Sequence, residues 1–370
     1  MKKRVLSMIL VMMLCITFAT GCAQGSAEEP EAVANEAAEV ETEPDYTGVQ
    51  LVVCTWGGAT GSATKEIAAA FEEEYGCEII IDEVNSNTDR LAKLQAQINA
   101  GVVEDDVVYL SGSFAKQAQE LGLLEQIDTD VVTTVDELYD FAKNDSGYGP
   151  MVAVGRFGLM YNAAMLEELG LEPPTSYMDL FDDKYAGIVS LPAMTSTAGP
   201  YVLGAIAENL GGDLENYQAA LDLYKEKKDN IKLWYTSDII GAMAQKEVAI
   251  TVYMDLLMPI LVSSGLDMVW VDAEEGNFGD PVNINVVKDA PNKELAQLFV
   301  DYTLQKSTQE LFLELNNEAP TNKNAVMSEE QQAFLAYGPE AFEICTFFDY
   351  DQLNELKPIL VEEWQKIVAE

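Results

Sequence analysis

Leu51-Val52-Val53-Cys54-Thr55-Trp56-Gly57-Gly58 is the stretch on which the fold turns. The short apolar run fits a buried strand, and the two glycines after Trp56 force a tight turn. Downstream, Ile67, Ala70, Phe71 and Tyr75 fall at helical spacing, and Gly76 supplies a left-handed stop. Ile79-Ile80-Ile81 reads as a second strand, and Leu91, Leu94 and Ile98 as a second helix ended by Gly101. Asp106 to Leu110 is a third strand, running into Ser111-Gly112-Ser113. Strand–helix–strand–helix–strand alternation predicts an α/β fold with a parallel sheet covered by helices on both faces. In such sheets ligands sit beyond the carboxyl ends of the strands, where the Trp56 and Ser111 turns fall.

The same reading continues along the chain. Gly158 to Asn162 is a strand, Ala163 to Gly170 a short helix, and Ile188 to Leu191 a strand. Pro192 to Gly199 then opens another helix. Helices are expected near 215–228 and 238–246, and strands over Val248–Tyr253 and Val282–Val287. Asn292 to Gln305 is an amphipathic helix, and the remainder to Glu370 is mainly helical.

Composition narrows the function. The chain has 370 residues, 63 Asp+Glu against 21 Lys+Arg, no histidine, and a formal charge of −42. At roughly 150 residues per domain, that length predicts two lobes with real cores. So acidic a surface repels phosphate backbones, which argues against a nucleic-acid partner. Lack of histidine excludes a Ser-His-Asp triad and any His-ligated zinc site. No cofactor is expected.

Residues 1–21 read as a secretory signal: Lys2, Lys3 and Arg4 precede an apolar stretch from Val5 to Ala19, too short to span a bilayer comfortably. Phe18-Ala19-Thr20-Gly21-Cys22 resembles a bacterial lipobox, which implies a diacylglyceryl group on Cys22, anchoring the chain to a membrane it does not cross. Residues 22–47 form the lipidated cysteine and a tether rich in Glu and Ala, without Lys or Arg, whose like charges predict disorder. With Cys22 acylated, Cys54, Cys77 and Cys345 remain, so one disulfide at most can form among them.

A family resemblance rests on residues 158–191. Tyr161-Asn162, Leu169-Gly170-Leu171-Glu172-Pro173-Pro174, a segment centred on Tyr177, Lys184-Tyr185-Ala186-Gly187 and a strand ending at Pro192 resemble the extracellular solute-binding proteins of ABC importers. The spermidine/putrescine-binding-like group is the nearest, and Gly265–Gly276, Val287–Glu294 and Asn316–Asn324 match it too. The resemblance implies a two-lobed, type II periplasmic-binding-protein-like fold, each lobe a mixed, mainly parallel sheet flanked by helices. Lobe one would comprise 48–153 plus 282–320 and lobe two 154–281, with 321–370 assigned to neither. It implies a monomeric receptor, outside the cytoplasm and Gram-positive-like in its anchoring, that delivers a small solute to an ABC permease without chemistry.

The candidate binding residues follow from strand ends and from that resemblance. Trp56 offers an indole face to an ammonium, worth roughly 0.5–2 kcal/mol. Ser111 matches a ligand-contacting serine, and Ser113 stands where relatives carry an aromatic. Thr195, Ser196 and Thr197 open a helix, where hydroxyls and free N–H groups either hold an anion or simply cap. Tyr253 and Asp255 end a strand, and Asp280 lies beside the second crossing. Arg156, beside the first, meets an anionic solute or pairs with an acid. An amine-containing, polyamine-like solute is the first expectation; carboxylate, phosphonate, thiamine and ferric-complex ligands are the alternatives. A lipid-anchored enzyme or an adhesion lipoprotein are readings of other classes.

Overall fold

The computed structural model describes residues 46–236 and 239–369. The expected signal peptide, Cys22 and the expected tether up to residue 45 lie outside the described residues. Among the described residues eleven strands form one sheet: β1 (Gln50–Thr55), β2 (Glu78–Glu83), β3 (Val107–Ser111), β4 (Met151–Asn162), β5 (Val189–Pro192), β6 (Ile231–Tyr235), β7 (Ile250–Met254), β8 (Met268–Val271), β9 (Asn277–Val286), β10 (Ala319–Pro320) and β11 (Cys345–Thr346). The order is β2-β1-β3-β9-β4-β7-β5-β6, with β8 and β10 on β4 and β11 on β9.

Parallel pairing holds within each end of the sheet, β2-β1-β3 and β7-β5-β6. The middle is antiparallel, because β4 and β9 run against each other and against β3 and β7. The sheet is therefore mixed. β4 also starts at Met151, seven residues before the expected Gly158. Glycines at 155 and 158 and the charged Arg156 interrupt its apolar pattern, but pairing on both sides keeps the backbone extended. β6 was hidden between two expected helices, and β8 in a turn-rich stretch.

Helices α1 (Gly58–Tyr75), α2 (Asn87–Ala100), α3 (Gly112–Glu120), α4 (Ala163–Leu169) and α5 (Ala198–Asn209) follow their strands closely. Ser86 caps α2 through its hydroxyl, which accepts from Asp89 N, and Gly76 ends α1 at φ 73°. One core joins Phe71, Phe299, Ile284 and Val107 beneath the β1 end of the sheet. Another joins Tyr177, Tyr201, Val252 and Phe278 beneath the β7 end.

The C-terminal helix Tyr350–Ala369 touches both ends of the sheet. Leu353, Leu360, Trp364 and Ile367 bury into the second core. At its start, Asn354 Nδ2 donates to Ser113 O at 3.2 Å, and Lys116 pairs with Asp351 at 3.1 Å. Gly112 permits that docking: a Cβ there would fall 2.5 Å from the Tyr350 hydroxyl. Cys54, Cys77 and Cys345 are all free thiols, and burial pushes the Cys54 thiol up to about 12.

Candidate functional site

The carboxyl ends of the parallel strands converge on a cleft of about 410 Å³. From one end of the sheet come Trp56 and Gly57 after β1, Asn85 and Asn87 after β2, and Ser111 closing β3. From the other come Ser196 and Thr197 before α5, Tyr235 and Thr236 at the end of β6, and Tyr253 and Met254 at the end of β7. Phe157 of β4, Asp280 and Val282 of β9, and Glu318 complete the floor.

Local geometry fixes the first wall. Gly58 takes φ 69°, a left-handed turn that a side chain resists, and this turns the chain from β1 into α1 beside Trp56. Gly57 N–H donates to Asn85 Oδ1 at 2.8 Å. The Asn87 amide grips Ser111 twice: its Nδ2 donates to Ser111 Oγ at 3.0 Å, and its Oδ1 accepts from Ser111 N–H at 3.3 Å. The Ser111 hydroxyl hydrogen is thereby left to point at an acceptor.

On the second wall, Ser196 is committed to its own backbone. Its hydroxyl donates to Ala193 O at 2.7 Å and accepts from Gly199 N–H at 3.1 Å, closing the turn into α5. Thr197 lines the cleft without capping. Tyr235 and Tyr253 pack at a ring separation of 5.2 Å, and the Tyr235 hydroxyl donates to Val252 O.

The floor is acidic. Burial raises the Asp280 carboxyl to about 7, with the Lys357 charge pulling the other way. Burial, then the negative charges of Asp280 and Asp255, raise Glu318 to about 8, opposed by a hydrogen bond from Asn316. Neither lysine nor arginine lines the cleft among the described residues.

Six of the nine sequence-derived candidates thus meet at the cleft: Trp56, Ser111, Ser196, Thr197, Tyr253 and Asp280. Three do not. Thr195 is exposed outside it, and Ser113 sits in the first turn of α3, its carbonyl taken by Asn354. Asp255 is fully buried behind β4, where Oδ2 accepts from Arg156 Nε at 2.8 Å and Oδ1 from Arg156 N–H at 2.9 Å. Its partner is therefore inside the chain, and Arg156 serves this acid rather than the cleft. Glu318 went unnoticed among 63 acids; its only signal was its place in the Asn316–Asn324 segment of the resemblance.

Among the described residues one group has the spacing of metal ligands: Cys54, Asp82 and Asp105, within 4.8 Å of one another. Lys93 already fills it. Its ammonium donates to Asp105 Oδ1 at 2.8 Å and also to Asp82, so the charge a metal would bring is supplied by the chain.

Comparison with known proteins agrees with this architecture. Residues 66–336 match the family described as bacterial extracellular solute-binding protein. A solved ABC transporter structure from Clostridium perfringens is 30% identical with a TM-score of 0.75, covering 86% of this chain and 99% of that one. A gamma-aminobutyric acid-binding protein of Pseudomonas aeruginosa is 25% identical over 291 residues, 75% of this chain and 78% of its own length. A putrescine/agmatine-binding protein of the same organism is 23% identical over 261 residues, 65% and 70% respectively. Two parallel-sheet ends joined by antiparallel strands, a cleft between strand ends, and a family match over most of the chain lead to one conclusion: this chain belongs to the bacterial extracellular solute-binding proteins and is the solute-binding component of an ABC transporter, a receptor of type II fold and not an enzyme.

Proposed function

We propose that the cleft captures a small solute by a protonated amine, which Asp280 and Glu318 hold while Trp56, Tyr235 and Tyr253 supply aromatic walls. One observation carries this: two desolvated carboxyls share a cleft that, among the described residues, no lysine or arginine lines. Ionised, each costs burial energy; an ammonium between them restores the charge and adds hydrogen bonds of roughly 1.5–3 kcal/mol each. A dicarboxylate or phosphonate would meet like charge instead. The 25%-identical relative named for gamma-aminobutyric acid and the 23%-identical one named for putrescine and agmatine both take amines, which supports the reading.

In this reading the hinge lies in β4 and β9, with lobe one formed by 48–153 plus 282–320 and lobe two by 154–281. Ligand bridging the two walls shifts an open–closed equilibrium, and the permease reads the closed form. Among the described residues no helix is long and apolar enough to cross a membrane. We assign the anchoring of a monomeric receptor to a lipid on Cys22, at the outer face of a Gram-positive-like cell membrane. Cys22→Ala should release the protein from the membrane fraction.

Thermal-shift screening of the purified protein tests the ligand class. Putrescine, agmatine and 4-aminobutyrate should stabilise, by about 2.7 kcal/mol at a hundred times the dissociation constant. Stabilisation by succinate or phosphonoacetate with none by any amine overturns the reading.

A further inference from the structure

Arg90 belongs to α2, one turn from its start. It is wholly buried, and its guanidinium carbon lies 3.6 Å from the centroid of the Trp56 ring. Nη2 donates to Asn87 Oδ1 at 2.9 Å, while Nε and Nη1 find no hydrogen-bond partner. No carboxylate pairs with it among the described residues. An unpaired buried charge is costly, and the indole π-face and the Asn87 amide are what compensate it. Burial lowers its pKa to about 10, which leaves it charged at neutral pH.

Both groups that Arg90 holds line the cleft, although Arg90 does not. It fixes the Trp56 ring by stacking, and it fixes Ser111 through Asn87. Its charge also sits directly behind the wall. Two cations on one indole compete for the same π-electrons, and in a partly desolvated site their repulsion is weakly screened. The floor, in contrast, carries Asp280 and Glu318. The cleft is therefore polar along its length: negative at the floor, positive behind Trp56. At the Trp56 end the free Ser111 hydroxyl hydrogen suits an acceptor atom.

We propose that Arg90 is a specificity-determining positioning residue: its charge behind Trp56 selects solutes with one ammonium and a neutral or anionic far end over diamines of equal length. This rests on the amine reading above. The test is calorimetric titration of the wild-type protein, Arg90→Met and Arg90→Lys with 4-aminobutyrate, butylamine and putrescine, which share a four-carbon chain.

Wild type should bind the better of the two monoamines at least tenfold more tightly than putrescine. Arg90→Met should shrink that ratio tenfold or more, while Arg90→Lys, which restores the charge, keeps it. A purely structural role would weaken all three ligands together and leave the ratio fixed, which refutes the proposal. So does putrescine binding wild type as tightly as the monoamines, a measurement that needs no variant to fold. Failure of all three to bind any of these proteins refutes the amine reading itself, and this inference with it.

Discussion

Asp255 and Asp280 flank the same two residues of β4, yet their surroundings are opposite. Arg156 gives Asp255 its backbone N–H and its Nε, and Asp255 is sealed behind the strand. Asp280 is the ladder partner of the preceding residue, Gly155, and opens into the cleft. Successive strand side chains point to opposite faces, so the arginine one residue along cannot reach Asp280. Where a side chain would stand at Gly155 there is instead the Met254 methyl, 2.8 Å from the position of a Cβ, with Glu318 Oε1 next at 3.6 Å. One position in register separates a carboxylate neutralised by its own chain from a pair that lines the cleft.

The largest expected effect breaks the neutralised side. Asp255→Ala strands the Arg156 guanidinium in the interior, and breaking a buried pair this way costs about 3–5 kcal/mol. Urea denaturation should register that loss. Asp280→Asn in the same assay should leave stability unchanged or raised, because it removes a charge whose burial the Lys357 charge offsets only in part. Equal losses in the two variants would erase the distinction drawn between them.

The next effect is a pH dependence. Asp280 is raised from 3.8 to about 7 and Glu318 from 4.5 to about 8, so between roughly pH 4 and 8 the folded state binds more protons than the unfolded one. Stability of the ligand-free protein therefore falls as pH rises through that window. Tyr201 and Tyr350 also face Asp280, but burial pushes both phenols upward and out of the range. Lys357, lowered by burial, adds a contribution only where it begins to lose its proton. An ammonium ligand holds both carboxylates ionised, so amine affinity should rise from pH 6 to 8. The double variant Asp280→Asn, Glu318→Gln should flatten both curves; curves unchanged in it would mean that other groups titrate.

Much of this contrast was out of reach of the sequence. The βαβ rhythm from Leu51 to Ser111 made the fold class legible, because apolar runs and glycine stops are local signals. Trp56 and Ser111 were legible for the same reason: strand ends mark the cleft. Asp255 and Asp280 were indistinguishable, since each borders an expected strand and what each meets comes from elsewhere in the chain. Arg156 is 99 residues from Asp255 in sequence. Likewise Glu318 reaches the floor only because β10 pairs with β4 at Val154 and Ala153, a contact with no local signature.

The smallest effect tests how sharply a strand end defines the cleft. Ser111 and Ser113 lie two residues apart, one closing β3 and the other inside the first turn of α3. Helical geometry rotates each successive residue by a hundred degrees, so the second serine leaves the cleft at once. Ser111→Ala removes a hydroxyl that Asn87 has already oriented, and a net hydrogen bond of about 0.5–1.5 kcal/mol predicts a loss of a few-fold to tenfold in solute affinity. Ser113→Ala keeps the carbonyl that Asn354 uses, so its affinity should stay within twofold of wild type. Titration of both variants with one amine decides it. Equal losses would mean that the wall extends into α3, and the boundary drawn at Ser111 would have to move a full turn.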